Sequence, residues 1–234
     1  QMGPEGIEFK VTLSPKARQL FHMGDDAPQE GAFTLSMVGA HNVQNALSII
    51  ACGLEIGLSL DQMKKGFASF EGVKRRFTRV GEWNGVTLID DYGHHPAEIT
   101  AVLKAARTVA KGRVMAVMQP HRHSRFNDLF EDFAQCFGDS DFTLVTPVYG
   151  AGEVAPQEGK THEDLVFALN RGKTGVDSKA TGQGVSDRQG IVEWIKQHAR
   201  EGDYVVFLGA GDITYWAQDV YSALAENQQT INVA

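Results

Sequence analysis

Apolar and polar residues alternate in two different rhythms along this chain, and the change falls at Gly72. Before it, Ile7-Glu8-Phe9-Lys10-Val11 and Phe33-Thr34-Leu35-Ser36-Met37 repeat with a period of two, turning one face to a core and the other to water. Gly, Pro and Asp clusters separate these runs, so a few short antiparallel strands are expected between residues 6 and 38. The pattern then takes a helical period. Residues 42–54 place Val43, Leu47, Ile50 and Leu54 on one face, and a second helix opens with the capping-box pattern Ser59-Leu60-Asp61-Gln62 and runs to residue 70. Gly72-Val73 ends this pattern, which predicts a division into residues 1–71 and 72–234.

Beyond the break, short apolar runs alternate with amphipathic ones. Strands are expected at 86–91, 114–119, 142–146 and 204–208, and helices at 97–110, 129–137, 163–170, 191–199 and 213–225. The rhythm implies an α/β unit: a mostly parallel, Rossmann-like sheet with helices on both faces, preceded by the short strands and two helices of the first part. Residues 150–190 are less legible, and 173–185 reads as an irregular loop or a short strand. In a parallel sheet Asp91, Gln119, Thr146 and Leu208 end at one edge. The polar and glycine-rich segments that follow, Tyr92-Gly93-His94-His95, Pro120 to Arg125, Pro147-Val148-Tyr149-Gly150 and Gly209-Ala210-Gly211-Asp212, converge where such sheets bind ligands.

Asp90-Asp91-Tyr92-Gly93-His94-His95-Pro96 carries the strongest chemical signal. A core has no use for this many ionisable side chains in one turn, so the segment is the best candidate for an active-site edge. In His41-Asn42-Val43-Gln44-Asn45, Asn42 or a neighbour suits a helix N-cap. Asn42 and Asn45 also lie three apart on one helical face, where their amides would match the edge of a nucleobase with the His41 ring nearby. Lys74-Arg75-Arg76 reads as a solvated hinge or as a phosphate contact. Arg122 and Arg125, three apart, suit a carboxylate or phosphate. His121 and His123 raise zinc only weakly, because no metal-type spacing accompanies them, and no metal ligand is assigned. Gly209-Ala210-Gly211-Asp212 is a truncated dinucleotide fingerprint at the last strand instead of the first, which keeps a Rossmann-type dehydrogenase as an alternative.

Composition narrows the field. The 234 residues, 42% hydrophobic, suffice for a sizeable core, and a net charge of −7 opposes nucleic-acid binding. Cys52 and Cys136, both in apolar helical patterns, read as buried thiols of a reducing compartment, and His22, His162 and His198 as surface residues. No apolar stretch would span a bilayer and no signal peptide is visible, so a cytoplasmic protein without membrane partners is expected.

Five segments in order, Gly39 to Ala46, Gly72 to Phe77, Asp90 to Pro96, Gln119 to Arg125 and Gly209 to Asp212, resemble the Mur ligases over essentially the whole chain. That family has a UDP-sugar domain, a central ATPase with a P-loop, and a C-terminal α/β domain. No Gly-x-x-x-x-Gly-Lys-Ser/Thr occurs here. The resemblance therefore implies a fragment, inactive alone: residues 1–71 as the end of the ATPase domain and 72–234 as the C-terminal domain. It implies ATP-dependent addition of L-alanine to UDP-N-acetylmuramate through an acyl phosphate, in peptidoglycan precursor synthesis, with ATP and Mg2+ as cofactors and the metal ligands upstream. Within the family the alternative is the branch that attaches a recycled tripeptide and tends to have Ala where Gly93 stands. Outside it, the alternative is a non-catalytic nucleotide-binding module. The resemblance assigns His41, Asn42 and Asn45 to the adenine, Arg76 to a phosphate, and Asp91 to the neighbourhood of the ribose and phosphates. Tyr92, His94, Arg122 and Arg125 would face the amino acid and the acyl phosphate, with Arg76, Asp91 and His94 as the catalytic set. His123 stands where that family has Tyr.

Overall fold

The computed structural model describes residues 2–3, 6–171 and 181–231. The chain divides into two compact units, Gln1–Val73 and Lys74–Ala234.

In the first unit, β1 (Met2–Gly3), β2 (Gly6–Thr12) and β3 (Glu30–Leu35) form an antiparallel sheet, with the short helix α1 (Pro15–Leu20) between β2 and β3. The pairing Ile7↔Leu35, Phe9↔Phe33 and Val11↔Gly31 puts the apolar positions of both strands on one face, as their period of two requires. Helices α2 (Ala40–Glu55) and α3 (Leu60–Ala68) complete this unit, and Phe33, Leu35, Ala46, Ile50, Leu54, Leu60, Met63 and Phe67 make its core. The expected capping box is present: Ser59 and Gln62 bond reciprocally at the start of α3. The buried face of α2 differs from expectation. Asn42, Ala46, Ile50, Gly53 and Leu54 are inside, whereas Leu47 is exposed and Val43 only half-buried. The reason is close approach: a Cβ on Gly53 would sit 2.4 Å from Met63 Sδ, so the small residues Ala46 and Gly53 join Ile50 and Leu54 on the inner face, and Leu47 turns outward. Cys52 lies on that outer side and is exposed, against expectation, while Cys136 is buried.

The second unit holds a six-stranded sheet in the order β4-β5-β9-β6-β7-β8. Its strands are β4 (Thr78–Trp83), β5 (Val86–Asp91), β6 (Val114–Met118), β7 (Phe142–Val145), β8 (Thr181–Gly184) and β9 (Tyr204–Leu208). All neighbours pair in parallel except β4, which forms an antiparallel hairpin with β5. The sequence reading missed β4. Its signal was Asn84-Gly85, both at positive φ (48° and 74°), the two-residue turn that matches strand twist. Of the stretch 173–185, residues 173–180 lie outside the described residues and β8 occupies Thr181–Gly184.

Strand residues alternate between two cores. Ile89, Ala116, Met118, Val145, Val206 and Leu208 face α4 (Pro96–Val109), the short helices α5 (His123–Asp128) and α6 (Phe130–Gln135), and α7 (His162–Arg171). Leu88, Met115, Val117, Leu144, Val205 and Phe207 face α8 (Arg188–His198) and α9 (Ile213–Ile231). This is the expected mostly parallel α/β sheet covered on both faces. The helix expected at 129–137 is instead the pair α5 and α6, which meet at Leu129 and together bury Phe126, Phe130 and Phe133. His22 and His198 are exposed as expected; His162 is half-buried. Among the described residues, no helix is long and apolar enough to cross a membrane.

At the amino ends of the strands the sheet is tied by a buried ion pair. Asp203, 2% exposed, accepts from Arg113 Nη2 (2.6 Å) and from the backbone N–H groups of Arg113 (2.7 Å) and Arg200 (2.8 Å). Burial alone would raise its carboxyl, but these bonds and the Arg113 charge carry it below the usual range. Asp203→Ala leaves two backbone amides without an acceptor and Arg113 with only the His198 carbonyl, and is expected to cost about 3 kcal/mol. Urea unfolding checks this; a loss under about 1 kcal/mol would show that the pair is not a structural tie.

Candidate functional site

The carboxyl ends of β5, β9, β6 and β7 carry the polar segments singled out above, and Asp91 organises the first of them. It ends β5, is 2% exposed, and accepts from Phe77 N through Oδ2 and from Gly93 N through Oδ1, both at 2.7 Å. Tyr92 N in turn donates to Arg75 O at 2.7 Å. One carboxylate thus fastens residues 75–77 to the strand end and shapes the turn into α4. Arg75 and Phe77 both hold positive φ (61° and 52°), a strained backbone that these bonds maintain. Burial pushes the Asp91 carboxyl up to about 6; the Gly93 and Phe77 bonds and the Arg76 charge oppose this, and neighbouring Asp90 adds to it.

Because of that backbone, the two arginines of the basic triplet point to different places. Arg75 turns inward: Nη2 donates to the carbonyls of Gly209 (2.7 Å) and Gly211 (3.2 Å), the guanidinium lies 4.7 Å from the Tyr92 ring centre, and Nε is 4.0 Å from buried Asp90. Asp90 also accepts from Thr214 Oγ1 at 2.6 Å. Arg76 turns outward, with 43% of its side chain exposed, 5.8 Å from the Tyr92 ring and 3.9 Å from Glu98. The glycine-rich segment is therefore already filled: Arg75 takes its carbonyls, and a Cβ on Gly211 would meet the Tyr149 ring at 2.7 Å. Gln119 fixes its far side, donating to Asp212 Oδ1 at 2.7 Å and accepting from Ile213 N at 3.2 Å.

α4 begins with His95 as its cap and Pro96 in its first turn. Glu98 Oε2 accepts from the backbone N–H of His94 (3.1 Å) and His95 (3.2 Å), and this carboxyl sits below its usual range: burial raises it, but those bonds and the charges of His94 and Arg76 prevail. From this corner a row of rings crosses the sheet edge. Tyr92 to His94, His94 to His121 and His121 to Tyr149 are 5.3, 5.7 and 5.6 Å between ring centres. Arg125 Nη1 lies 3.4 Å from His121 Nδ1, and Arg122 Nη1 lies 3.6 Å from Glu153. Partial burial, with the charges of His94, Arg125 and Arg122, holds the His121 imidazole below its ordinary pKa, hence neutral at pH 7.

The structure brings Arg76, Asp91, Tyr92, His94, Arg122 and Arg125 to one sheet edge. His41, Asn42 and Asn45 belong to the first unit. There the cap of α2 is Gly39, without a side-chain cap bond, instead of Asn42. Asn42 is buried one turn in, its Nδ2 donating to Val38 O at 2.8 Å, and exposed Asn45 Nδ2 reaches Asn42 Oδ1 at 3.5 Å. Sequence reasoning missed Glu98 and Glu153 as site residues, and it held Arg75, His121 and Tyr149 only as members of the basic triplet, a weak zinc reading and a polar segment, without assigning them to the site. Glu98 carried a local signal, its place three residues after a helix cap. Among the described residues, no three His, Cys, Asp or Glu side chains are grouped to hold a metal ion.

The raised Asp91 carboxyl sets a pH dependence. A folded value near 6 against an ordinary 3.8 means that the folded state binds the proton more tightly, so this contribution is full below about pH 4 and lost as pH rises through 6. Relative to Asp91→Asn, the wild type should lose up to about 3 kcal/mol between pH 4 and 7, at about 1.36 kcal/mol per pKa unit. Urea unfolding of both proteins across that range checks it; a constant difference would place the Asp91 pKa at its ordinary value.

Comparison with known proteins agrees with this geometry. Residues 75–211 match the model of the Mur ligase, glutamate ligase domain. The UDP-N-acetylmuramate–L-alanine ligase of Phenylobacterium zucineum is 49% identical over 218 residues, covering 93% of this chain and 43% of that protein. That of Bartonella tribocorum is 52% identical over 183 residues, 78% of this chain and 37% of the relative. The chain thus spans less than half the length of these relatives. Among solved structures, a UDP-N-acetylmuramate–alanine ligase from Thermotoga maritima shares the fold (TM-score 0.72, 23% identity) over 97% of this chain and 45% of its own. A murein peptide ligase from Psychrobacter arcticus aligns with TM-score 0.62 and 27% identity over 94% and 42%. The family match takes in every strand of the six-stranded sheet and the polar edge as far as Gly211, and the chain accordingly belongs to the Mur ligase family.

Proposed function

We propose that this chain serves ATP-dependent ligation of L-alanine to UDP-N-acetylmuramate. The observation that carries the reading is the pair Arg122 and Arg125 at the carboxyl edge of the sheet, beside a neutral His121 and opposite the Tyr92–His94 corner. Two guanidiniums one turn apart suit the carboxylate of a small amino acid. Neutral His121 adds no repulsion to the incoming ammonium group, and the rings of Tyr92, His94 and Tyr149 bound the space that its side chain would occupy. The similarity to UDP-N-acetylmuramate–L-alanine ligases supports the same substrates.

ATP supplies the phosphoryl group that turns the sugar carboxylate into an acyl phosphate; the amine then displaces phosphate. The residues here bind and orient. Arg76, outward and only loosely paired with Glu98, suits phosphate oxygens, and Asp91 acts through the backbone to aim it. In the first unit, His41, Asn42 and exposed Asn45 are proposed for the adenine, with Asn45 offering its amide and buried Asn42, bonded to Val38 O, orienting it. Mg2+ finds no ligand set among the described residues and is assigned to none of them.

In the full-length gene product containing this sequence, Arg122→Lys or Arg125→Lys should raise the KM for L-alanine about tenfold or more, from loss of a charge-assisted bond of roughly 1.5 to 3 kcal/mol. The KM values for ATP and UDP-N-acetylmuramate should change little. Steady-state kinetics with each substrate varied in turn decides this, and equal effects on all three would remove the arginines from the amino-acid site. Replacing L-alanine by the recycled tripeptide in the same assay separates the two branches of the family; faster turnover with the tripeptide would overturn the choice of L-alanine.

A further inference from the structure

Helix α5 is six residues long, and its cap residue, Arg122, stands at φ 69° without a side-chain cap bond. Its first N–H groups need an acceptor from elsewhere. Glu153 supplies it from the segment after β7: Oε2 accepts from Ser124 N at 2.9 Å and Oε1 from Ser124 Oγ at 2.7 Å. A tight turn presents this carboxylate, with Ala151 and Gly152 at φ 51° and 89° and Glu153 N donating to Gly150 O at 3.0 Å. The same segment holds the arginine itself. Arg122 N donates to Tyr149 O at 2.8 Å, and Arg122 Nη1 lies 3.6 Å from Glu153 Oε1.

We propose that Glu153 is a positioning residue for the amino-acid carboxylate, presetting Arg122 and the start of α5, which carries Arg125. This inference rests on the reading of Arg122 and Arg125 given above. The Arg122 side chain is 51% exposed and by itself would sample many rotamers. Glu153 confines it electrostatically without a hydrogen bond, so the donor fork stays open to an incoming carboxylate. When the guanidinium turns to that ligand, Glu153 keeps both bonds to Ser124, and neither charge is left without a partner. Both loosening Arg122 and uncapping α5 would weaken alanine binding and leave the nucleotide contacts, on other elements, alone.

The test uses Glu153→Gln, which keeps one acceptor oxygen for Ser124 N and removes the charge, and Glu153→Ala, which removes both, in the full-length gene product containing this sequence. The expected result is a KM for L-alanine raised about threefold by Gln and about tenfold by Ala, with kcat and the KM values for ATP and UDP-N-acetylmuramate within about twofold of wild type. Adding Glu153→Ala to Arg122→Lys should raise the alanine KM less than the product of the single effects, because both act on one contact. If both Glu153 variants leave the alanine KM unchanged, or shift all three KM values alike, while Arg122→Lys keeps its alanine effect, the positioning role is overturned and the carboxylate reading stands. If Arg122→Lys itself leaves the alanine KM unchanged, that reading falls and the role of Glu153 with it.

Discussion

The candidate edge depends on one buried carboxylate. Asp91 accepts from Phe77 N on one side and Gly93 N on the other, and through these bonds it fixes both the segment that enters the unit and the turn that leaves β5. Without that acceptor, the positive φ of Phe77 loses the bond that holds it, and Arg75 keeps only its bonds with Tyr92 N and with the Gly209 and Gly211 carbonyls. The divergence of Arg75 and Arg76 follows from this backbone. The arrangement has a cost, visible in the raised Asp91 carboxyl.

Charge along the edge follows a consistent rule: the carboxylates beside the half-exposed arginines Arg76 and Arg122 are also occupied by backbone donors. Glu98 takes the N–H groups of His94 and His95 while standing 3.9 Å from Arg76; Glu153 takes Ser124 N while standing 3.6 Å from Arg122. Neither arginine is locked in a direct hydrogen bond with its carboxylate. Their donors are left free of those carboxylates, which is what the proposed anion contacts need, whereas Arg113, bonded to Asp203 at 2.6 Å on the opposite edge, ties the sheet. Distance thus separates the arginines suited to binding from the arginine that supports the sheet.

Much of this was legible in the chain. Hydrophobic period placed β5, β6, β7 and β9 nearly at their boundaries, because a strand buried on both faces must be continuously apolar whatever its neighbours. Alternating strands and helices then implied a parallel sheet, and a parallel sheet puts the ends of its strands together. Tyr92, His94, Arg122 and Arg125 were therefore readable as one edge. The helical stripe of α2 was misjudged by about one position because small residues, Ala46 and Gly53, carry the close contact.

What tertiary structure decided was the pairing of residues far apart in sequence. No local pattern says that β9 enters between β5 and β6, matching Thr87 and Val114 with Tyr204; strand order is set by how helices pack on a completed sheet. Nor does the triplet Lys74-Arg75-Arg76 say which arginine turns inward, since the answer lies in the carbonyls of Gly209 and Gly211, more than 130 residues away. Glu153 is the same case, an unremarkable loop acid until the fold sets it against Ser124 and Arg122. Local pattern carried most of the elements and the chemistry at their ends, because period and turn chemistry are local; the choice of partner was left to the fold, because hydrogen bonds and ion pairs act over a few ångströms of space whatever the separation along the chain.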